Sequence, residues 1–528
     1  MSGQEEKELL KKMEELTQTV HDLTAENKRL KQKLERMNEL LLNAQRAQFG
    51  QSSEKRNYVL PNSEQMCIFN EAEQTQDVKA EEPTEKTLVA AHERKKKRTK
   101  EELAKALPTK EICLDIPEDQ KVCSVCGNGM TLIGKKFLYE ELQMIPKQVF
   151  LLRYYTNTYA CKHCEKETGF GRLVSVKAPP RLLKHSLASP ATVADVMTQK
   201  YVDGIPLYRQ EKIWKREGVE LSRATLANWV IEVSKRWLRP LYRLMRRQLP
   251  ELEVIHADET VVQVLKEDGK PATSESRMWV YASGRYEKNP IRFFEYQPDR
   301  SGKHPAALLK DFGGCLVTDG YAGYKQVSGA KRCGCWAHMR RKWREAMPKG
   351  ATVSTSQAAV GYEYCNRLFS LERKIASFTP EERQQARQAQ VKPLLDVYWA
   401  WVEEVDPSPG SKLENAVVYA LNQKTYLNEF LLHGNVDISN NIAENAIRPF
   451  VVGRKNWLFC DTAKGAETSA VVYTLVETAK ANGIDPSHYL NYVLLNIRYL
   501  DQSLSNEELE KFLPWSEDVQ ANCKPMLF

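Results

Sequence analysis

Three acidic residues and four cysteines carry the chemistry to be expected of this sequence. Asp258 follows the mostly apolar run LEVIHA, and Asp319 follows a run of the same shape, GGCLVT. A carboxylate at the tip of a central strand is held rigidly and still reaches solvent, which suits a metal ligand. The third acid, Glu444, lies in SNNIAENAIRPF, on a short helix among Ile442, Ala443, Ala446 and Ile447. A helical Glu often faces only solvent, but Arg448, Arg454, Lys455 and Trp457 close by favour function. Hard carboxylate oxygens suit Mg²⁺ (or Mn²⁺). Three of them holding two ions per site can split a phosphodiester, one ion activating water or a 3′-hydroxyl and the other stabilising the leaving oxygen.

The cysteines point to a second metal. Cys123-x2-Cys126 and Cys161-x2-Cys164 form two knuckles separated by 34 residues, and four thiolates so arranged hold one structural Zn²⁺. His163, inside the second knuckle, is the alternative to one of them. The gap is long enough for a hairpin, 135–145 and 148–160, turning at Pro146. The remaining eight of the twelve cysteines are scattered, which fits a reducing cytosol better than a disulfide scaffold. Cys335 and His338, in CWAHMRRKW, have no fourth ligand nearby in sequence. They are expected to lie one helical turn apart and brace the core, with Arg340, Arg341 and Lys342 beyond them as a phosphate-facing surface.

These residues need elements to position them. Residues 6–47 carry a heptad repeat: Met13, Val20, Asn27, Leu34 and Leu41 at a, and Leu9, Leu16, Leu23, Leu30 and Met37 at d. The strict 3.5-residue spacing favours a coiled coil over an amphipathic helix packed on its own domain. Asn27 at an a position is a device that fixes register in parallel dimers, so Leu16, Leu23, Asn27, Leu30 and Leu34 are the expected dimer seam. Residues 48–110 read as a flexible linker, acidic and then basic around Arg94–Lys100, with a phosphate-contacting arm as the alternative. Residues 111–175 form the zinc-binding module. In 186–245, three helices are expected at 190–201, 207–217 and 222–238. They read either as a helix-turn-helix, with Arg223, Thr225 and Asn228 at the front of the recognition helix, or as a plain helical packing layer.

From residue 250 the period changes. Strands are expected at 253–257, 277–282, 291–296 and 315–318, with a helix at 303–312 between the last two. Three strands as a meander, a helix, then a strand is the order of the ribonuclease-H-like fold, in which the first and fourth strands lie side by side. Asp258 and Asp319 are then neighbours. Residues 250–350 make the first part of this core and 351–434 a helical insertion. Residues 435–484 make its second part, with a helix from Ser439 to Arg448 stopped by Pro449 and a further one at 466–480. Residues 485–528 form a C-terminal segment. The whole is multidomain α+β: a ribonuclease-H-like mixed α/β catalytic core with a helical insertion, preceded by a coiled coil, a zinc module and a helix-turn-helix-like region.

Composition sets limits. The formal charge is +8 and the pI about 8.7, so any nucleic-acid surface is local rather than global. The start, MSGQEEKELLKK, lacks the apolar segment of a secretory signal. No apolar run reaches the roughly 18 residues of a membrane span.

Taken together, the zipper followed by AQRAQFGQSSEK, the two knuckles, KYVDGIPLYRQEKIWKREGVELSRATLANWV, HADET, VTDGYAGY, CWAHMRRKW, SNNIAENAIRPFVVGRKNWLF, HYLNYVLLNI and LPW closely resemble a DDE transposase of the bacterial insertion sequence 66 family, over nearly the whole chain. That resemblance implies Asp258, Asp319 and Glu444 as the triad, with divalent metal, DNA strand cleavage and strand transfer by 3′-hydroxyl attack. It implies double-stranded DNA (element ends and target) as partner, a homo-oligomer, small accessory proteins of the same element, and a cytoplasmic, nucleoid-associated location without membrane contact. Cys335 and His338 match a Cys-x2-His signature that follows the second Asp in several transposase families. A zinc-finger regulator with structural carboxylates, and a nuclease without strand transfer, are the competing readings.

Overall fold

The structure, a computed structural model, describes residues 11–24, scattered positions between 26 and 138, and residues 147–161, 166, 173–348, 350–500 and 505–523. Residues 11–24 are helical, and the seam side chains Met13, Leu16, Val20, Leu23 and Leu30 are exposed on the single chain. Leu34, Cys123, Cys126 and Cys164 lie outside the described residues, as does nearly all of the 48–110 linker. The expected 148–160 strand is formed only at its end. β1 (Thr158–Ala160) pairs antiparallel with β2 (Leu173–Ser175), so the segments flanking Cys161 pair with each other.

Four helices follow: α1 (Pro190–Tyr201), α2 (Leu207–Arg216), α3 (Arg223–Val233) and α4 (Arg239–Gln248). Ser189 caps α1 by accepting the Thr192 N–H, and Ser222 caps α3 by accepting the Thr225 N–H. Both satisfy donors that a helix start leaves orphaned. Gly218 ends the α2 segment at φ +80°, a conformation that costs glycine little. The third helix does not stop at Leu238. A π-turn over Ser234–Leu238 carries it into α4, with Pro240 placed directly after that turn. The inner faces, including Val193, Met197, Leu226, Val230 and Leu241, are buried in one core with the sheet.

The sheet has β3 (Val254–Lys266), β4 (Glu275–Ser283), β5 (Arg292–Gln297), β6 (Cys315–Thr318) and β7 (Lys331–Gly334) in the order β5-β4-β3-β6-β7. The first three form an antiparallel meander; β6 and β7 add parallel to β3. The helix α5 (Lys303–Leu308) crosses between β5 and β6. β3 and β6 are therefore central neighbours, as the strand order anticipates. β3 is far longer than expected, because β4 stays paired with it out to Gln263↔Glu275 and β8 (Cys460–Thr462) joins it at Val264 and Lys266. Along β6, side chains alternate between two cores: Leu316 joins one, Cys315 and Val317 the other. This is the period-two signature of a strand buried on both faces.

The second core is made by α6 (Trp336–Ala346) and the insertion helices α7 (Gln357–Lys374), α9 (Lys392–Glu404) and α10 (Lys412–Asn428), with α8 (Pro380–Ala386) lying between α7 and α9 in the chain. Trp336, Trp343, Tyr398 and Trp399 fill it, and the Trp343 indole N–H donates to the Tyr398 hydroxyl at 3.1 Å. The insertion therefore packs on the sheet instead of standing apart from it. On the other face lie α11 (Asn441–Trp457) and α12 (Ala463–Ala481). α12 covers the edge of β5: its Thr474 and Thr478 hydroxyls accept the N–H groups of Phe294 and Arg292, which closes a row that would otherwise invite another strand. α11 runs through Pro449 instead of ending there. An interior proline costs about 3 kcal/mol, offset here by Ala443, Ala446, Ile447, Phe450 and Gly453, all buried along one stripe. Three short helices, α13 (Pro486–Asn496), α14 (Asn506–Glu510) and α15 (Glu517–Asn522), close the described chain.

The lead-in to α11 is fixed by a buried arginine. Arg387 is fully buried, donates twice to Glu372 and also to the carbonyls of Phe430, His433 and Val436. Arg383 shares Glu372 at 3.0 Å. Gly434 lies so close to this knot that an added Cβ would overlap the Pro380 carbonyl. Removing one member of a buried charge network leaves the others unpaired. Arg387→Met is expected to lower stability by roughly 3–5 kcal/mol, read from urea denaturation; a loss below about 1 kcal/mol would mean that the network is not holding this segment.

Candidate active site

Asp258 lies on β3 two residues beyond His256, the last residue that β6 pairs, opposite Val317. It is thus not at the end of its own strand, as its sequence context suggests, but at the point where its parallel neighbour stops. Asp319 follows β6 directly. The two acids flank the same notch in the sheet. Asp319 Oδ1 accepts the Tyr321 N–H at 2.9 Å, a turn that aspartate favours. The buried Arg332 of β7 clamps that turn, donating to Thr318 Oγ1, the Asp319 carbonyl and the Tyr321 carbonyl. Gly320 leaves no room for a side chain, since a Cβ would stand 2.7 Å from the Tyr419 ring of α10.

Glu444 comes from the N-terminal part of α11. The N-cap position is Asn440, not Ser439, and the Asn440 side chain makes no capping bond. Its amide instead donates to the Ala257 carbonyl at 2.8 Å, on the residue before Asp258. That bond ties the start of α11 to β3 and brings the third acid to the other two. Their charges register on Asp258, whose carboxyl is pushed up to about 7. Burial is the main cause, the negative charges of Glu259, Asp319 and Glu444 add to it, and the Glu259 N–H opposes it. Glu444 Oε1 is shielded from water and accepts no hydrogen bond. All three acids are half-buried, and their carboxylate oxygens are donors of the type that could hold a hard cation such as Mg²⁺.

Glu259 was not foreseen as part of the site. Strand alternation sends it to the face opposite Asp258, yet burial and the charge of Asp319 raise its carboxyl. Arg300, in an ion pair, and the Tyr324 hydroxyl at 2.9 Å counter this. His256 is fully buried, faces Asp437 at 3.9 Å, and is pushed down to about 4 by burial. It is a packing residue here. Cys335 and His338 do stand one turn apart at the start of α6, but they also meet Glu444, which no sequence spacing suggests. The three offer ligand atoms within 4.8 Å of one another.

The basic residues divide. Arg340 is engaged by Asn366 and the Tyr362 hydroxyl, and Arg454 donates to Thr260 of β3. Arg341, Arg448 and Lys455 are exposed, and Lys342 is half-buried. At α3, Arg223 and Asn228 are exposed, whereas Thr225 is half-buried and its hydroxyl meets that of Ser222. Cys161 is exposed.

The Asp258 shift has a stability consequence. The fold holds the proton up to about pH 7, whereas an unfolded carboxyl loses it near pH 4. The fold's penalty is absent at about pH 4, grows as pH rises, and is full above about 7. Asp258→Asn removes it. Without divalent ions, the variant should be more stable than the parent at pH 8, by an amount on the order of a few kcal/mol, and no more stable near pH 4. Equal denaturation midpoints at both pH values would contradict the clustering of acids.

Comparison with known proteins places the chain in a family. The model of the Transposase IS66 family matches residues 185–468 and that of the IS66 C-terminal element residues 474–515. "Transposase C of IS166 homeodomain" matches 36–112, and the zinc-finger binding domain of transposase IS66 matches 120–165, the span of both knuckles. Two proteins of Sinorhizobium fredii (strain NBRC 101917 / NGR234), y4qI and y4jD, both described as uncharacterized, are similar. The first is 31% identical over 76% of this chain and 75% of its own length; the second is 29% identical over 78% and 81%. A chain of the Drosophila P element transposase strand transfer complex aligns with a TM-score of 0.35 and 11% identity, over 56% of this chain and 94% of that one. With one family model spanning more than half of its residues, the chain belongs to the IS66 transposase family.

Proposed function

We propose that this transposase cuts and joins DNA at a DDE centre formed by Asp258, Asp319 and Glu444 on a ribonuclease-H-like core. One observation supports the reading: Asp258 lies just past the point where β6 stops pairing with β3, Asp319 directly follows β6, and Asn440 ties the start of the Glu444 helix to the Ala257 carbonyl beside Asp258. The strand order β5-β4-β3-β6-β7, with β3 and β6 adjacent and parallel, supports the fold assignment. Two Mg²⁺ or Mn²⁺ ions, when bound, activate the attacking oxygen and stabilise the departing one. The chain's own residues orient. Asn440 holds Glu444 against β3, Arg332 fixes the Asp319 turn, and Arg300 neutralises Glu259 beside the site.

Double-stranded DNA, both element ends and target, is the substrate. Arg341, Lys342, Arg448 and Lys455 are suited to its phosphates, and Arg223 and Asn228 at the front of α3 to an element end; Arg340, Arg454 and Thr225 serve chiefly to hold the scaffold. The exposed seam of Leu16, Leu23 and Leu30 around Asn27, continued by Leu34, supports self-association through a coiled coil. Cys123, Cys126, Cys161 and Cys164 hold one structural Zn²⁺. Small proteins encoded by the same element are further partners, and the chain acts in the cytoplasm at the nucleoid. No helix among the described residues is long and apolar enough to cross a membrane.

Purified protein incubated with candidate element ends and Mg²⁺ tests this. Wild type is expected to nick the ends and yield joined strands. Asp258→Asn, Asp319→Asn and Glu444→Gln should each lose cleavage by at least about a thousandfold while retaining end binding in a gel shift. Cleavage retained in one variant removes that residue from the triad. Hydrolysis without joined product would make the chain a nuclease, and three fully active variants would leave a DNA-binding regulator.

A further inference from the structure

The triad chemistry makes no use of Cys335 or His338. Cys335 immediately precedes α6 and is fully buried, and its Sγ accepts the Asn440 N–H at 3.1 Å. The His338 Nδ1 stands 3.8 Å from Glu444 Oε1. Both of these atoms are shielded from water, and neither has a hydrogen-bond partner. Packing alone is a poor reason for that arrangement, because a buried polar atom left unpaired costs about 1–3 kcal/mol. One ligand atom from each of the three residues lies within 4.8 Å of the other two. Sulfur, imidazole nitrogen and carboxylate oxygen together are the donor set of a borderline-soft divalent ion with one position left open. They do not suit Mg²⁺, which takes oxygen alone.

We propose that Cys335, His338 and Glu444 form a transition-metal site for Zn²⁺ or Co²⁺, separate from the four-cysteine module and sharing Glu444 with the catalytic acids. On binding, the Cys335 thiol gives its proton to solvent and the thiolate, the His338 Nδ1 and a Glu444 oxygen become ligands. The Asn440 N–H, already directed at the sulfur, stabilises the thiolate. The site also has a regulatory consequence, which rests on the triad reading. Glu444 engaged by a soft ion on the α6 side is withdrawn from the hard ions beside Asp258, so Zn²⁺ acts as a brake on Mg²⁺-dependent cleavage.

The test is a Co²⁺ titration of the full chain after its four-cysteine module has been filled with Zn²⁺, followed by absorption. Wild type should take up one further equivalent, with thiolate-to-cobalt charge transfer in the near ultraviolet. Cys335→Ser should lose that band. His338→Gln should bind at least about tenfold more weakly, since even an outer-shell partner is worth that much. Circular dichroism establishes that all three are folded. Superimposable titrations of the three folded proteins overturn the site, and this result holds whether or not the chain cuts DNA. For the brake, Zn²⁺ should inhibit wild-type cleavage in Mg²⁺ over the same concentration range that fills the cobalt site. Full cleavage with that site saturated overturns the brake.

Discussion

Carboxylates held together and half-buried repel one another, and two buried side chains hold the segments that carry them against that cost. Asp258 is raised to about 7 by burial and by three acids around it. A chain free to relax would let them part. Asn440 does not allow it, because its bond to the Ala257 carbonyl pins α11 to the strand that carries Asp258. Arg332 does not allow it either, since its three bonds hold the turn that carries Asp319. Each device spends a buried polar group on backbone carbonyls or a neighbouring hydroxyl and takes up no carboxylate oxygen of Asp258, Asp319 or Glu444. The strain is electrostatic, and a bound cation would relieve it, a common trade of stability for function.

The helical insertion takes part in this positioning. Tyr419 and Tyr426 lie two turns apart on α10 and so face the same way. The first abuts Gly320; the second lies under the Arg332 guanidinium at 4.5 Å. At its other end, the insertion supplies Arg387, which gathers the carbonyls leading to α11. One inserted block thus braces both Asp319 and the approach to Glu444.

The sequence disclosed the parts of this site that have long or repetitive signatures. The apolar runs before Asp258 and Asp319 mark buried strands, and the meander-helix-strand order makes the two acids expected neighbours. The first helix is bounded correctly because Ser189 and Pro190 are strong start signals. What stayed hidden depends on tertiary partners. KRCG and CDT, which become β7 and β8, are too short and polar to read as strands; β6 and β3 recruit them. Pro449 looks like a stop because its cost is local, whereas the packing that outweighs it is not. Glu259 is masked by alternation, and the meeting of Cys335 and His338 with Glu444 joins segments that no short motif spans. Asn440, the residue that makes the meeting possible, reads only as part of a polar run.

Whether the three acids form one metal centre can be measured without DNA chemistry. Fe²⁺ substituted for Mg²⁺, with ascorbate and peroxide, generates hydroxyl radicals that cut the backbone beside the bound ion. Fragments mapped by mass spectrometry should end near Asp258, Asp319 and Glu444 together, and Mg²⁺ in excess should suppress all three cuts in parallel. Cuts near Asp258 and Asp319 with none near Glu444, or cuts that Mg²⁺ does not suppress, would contradict it.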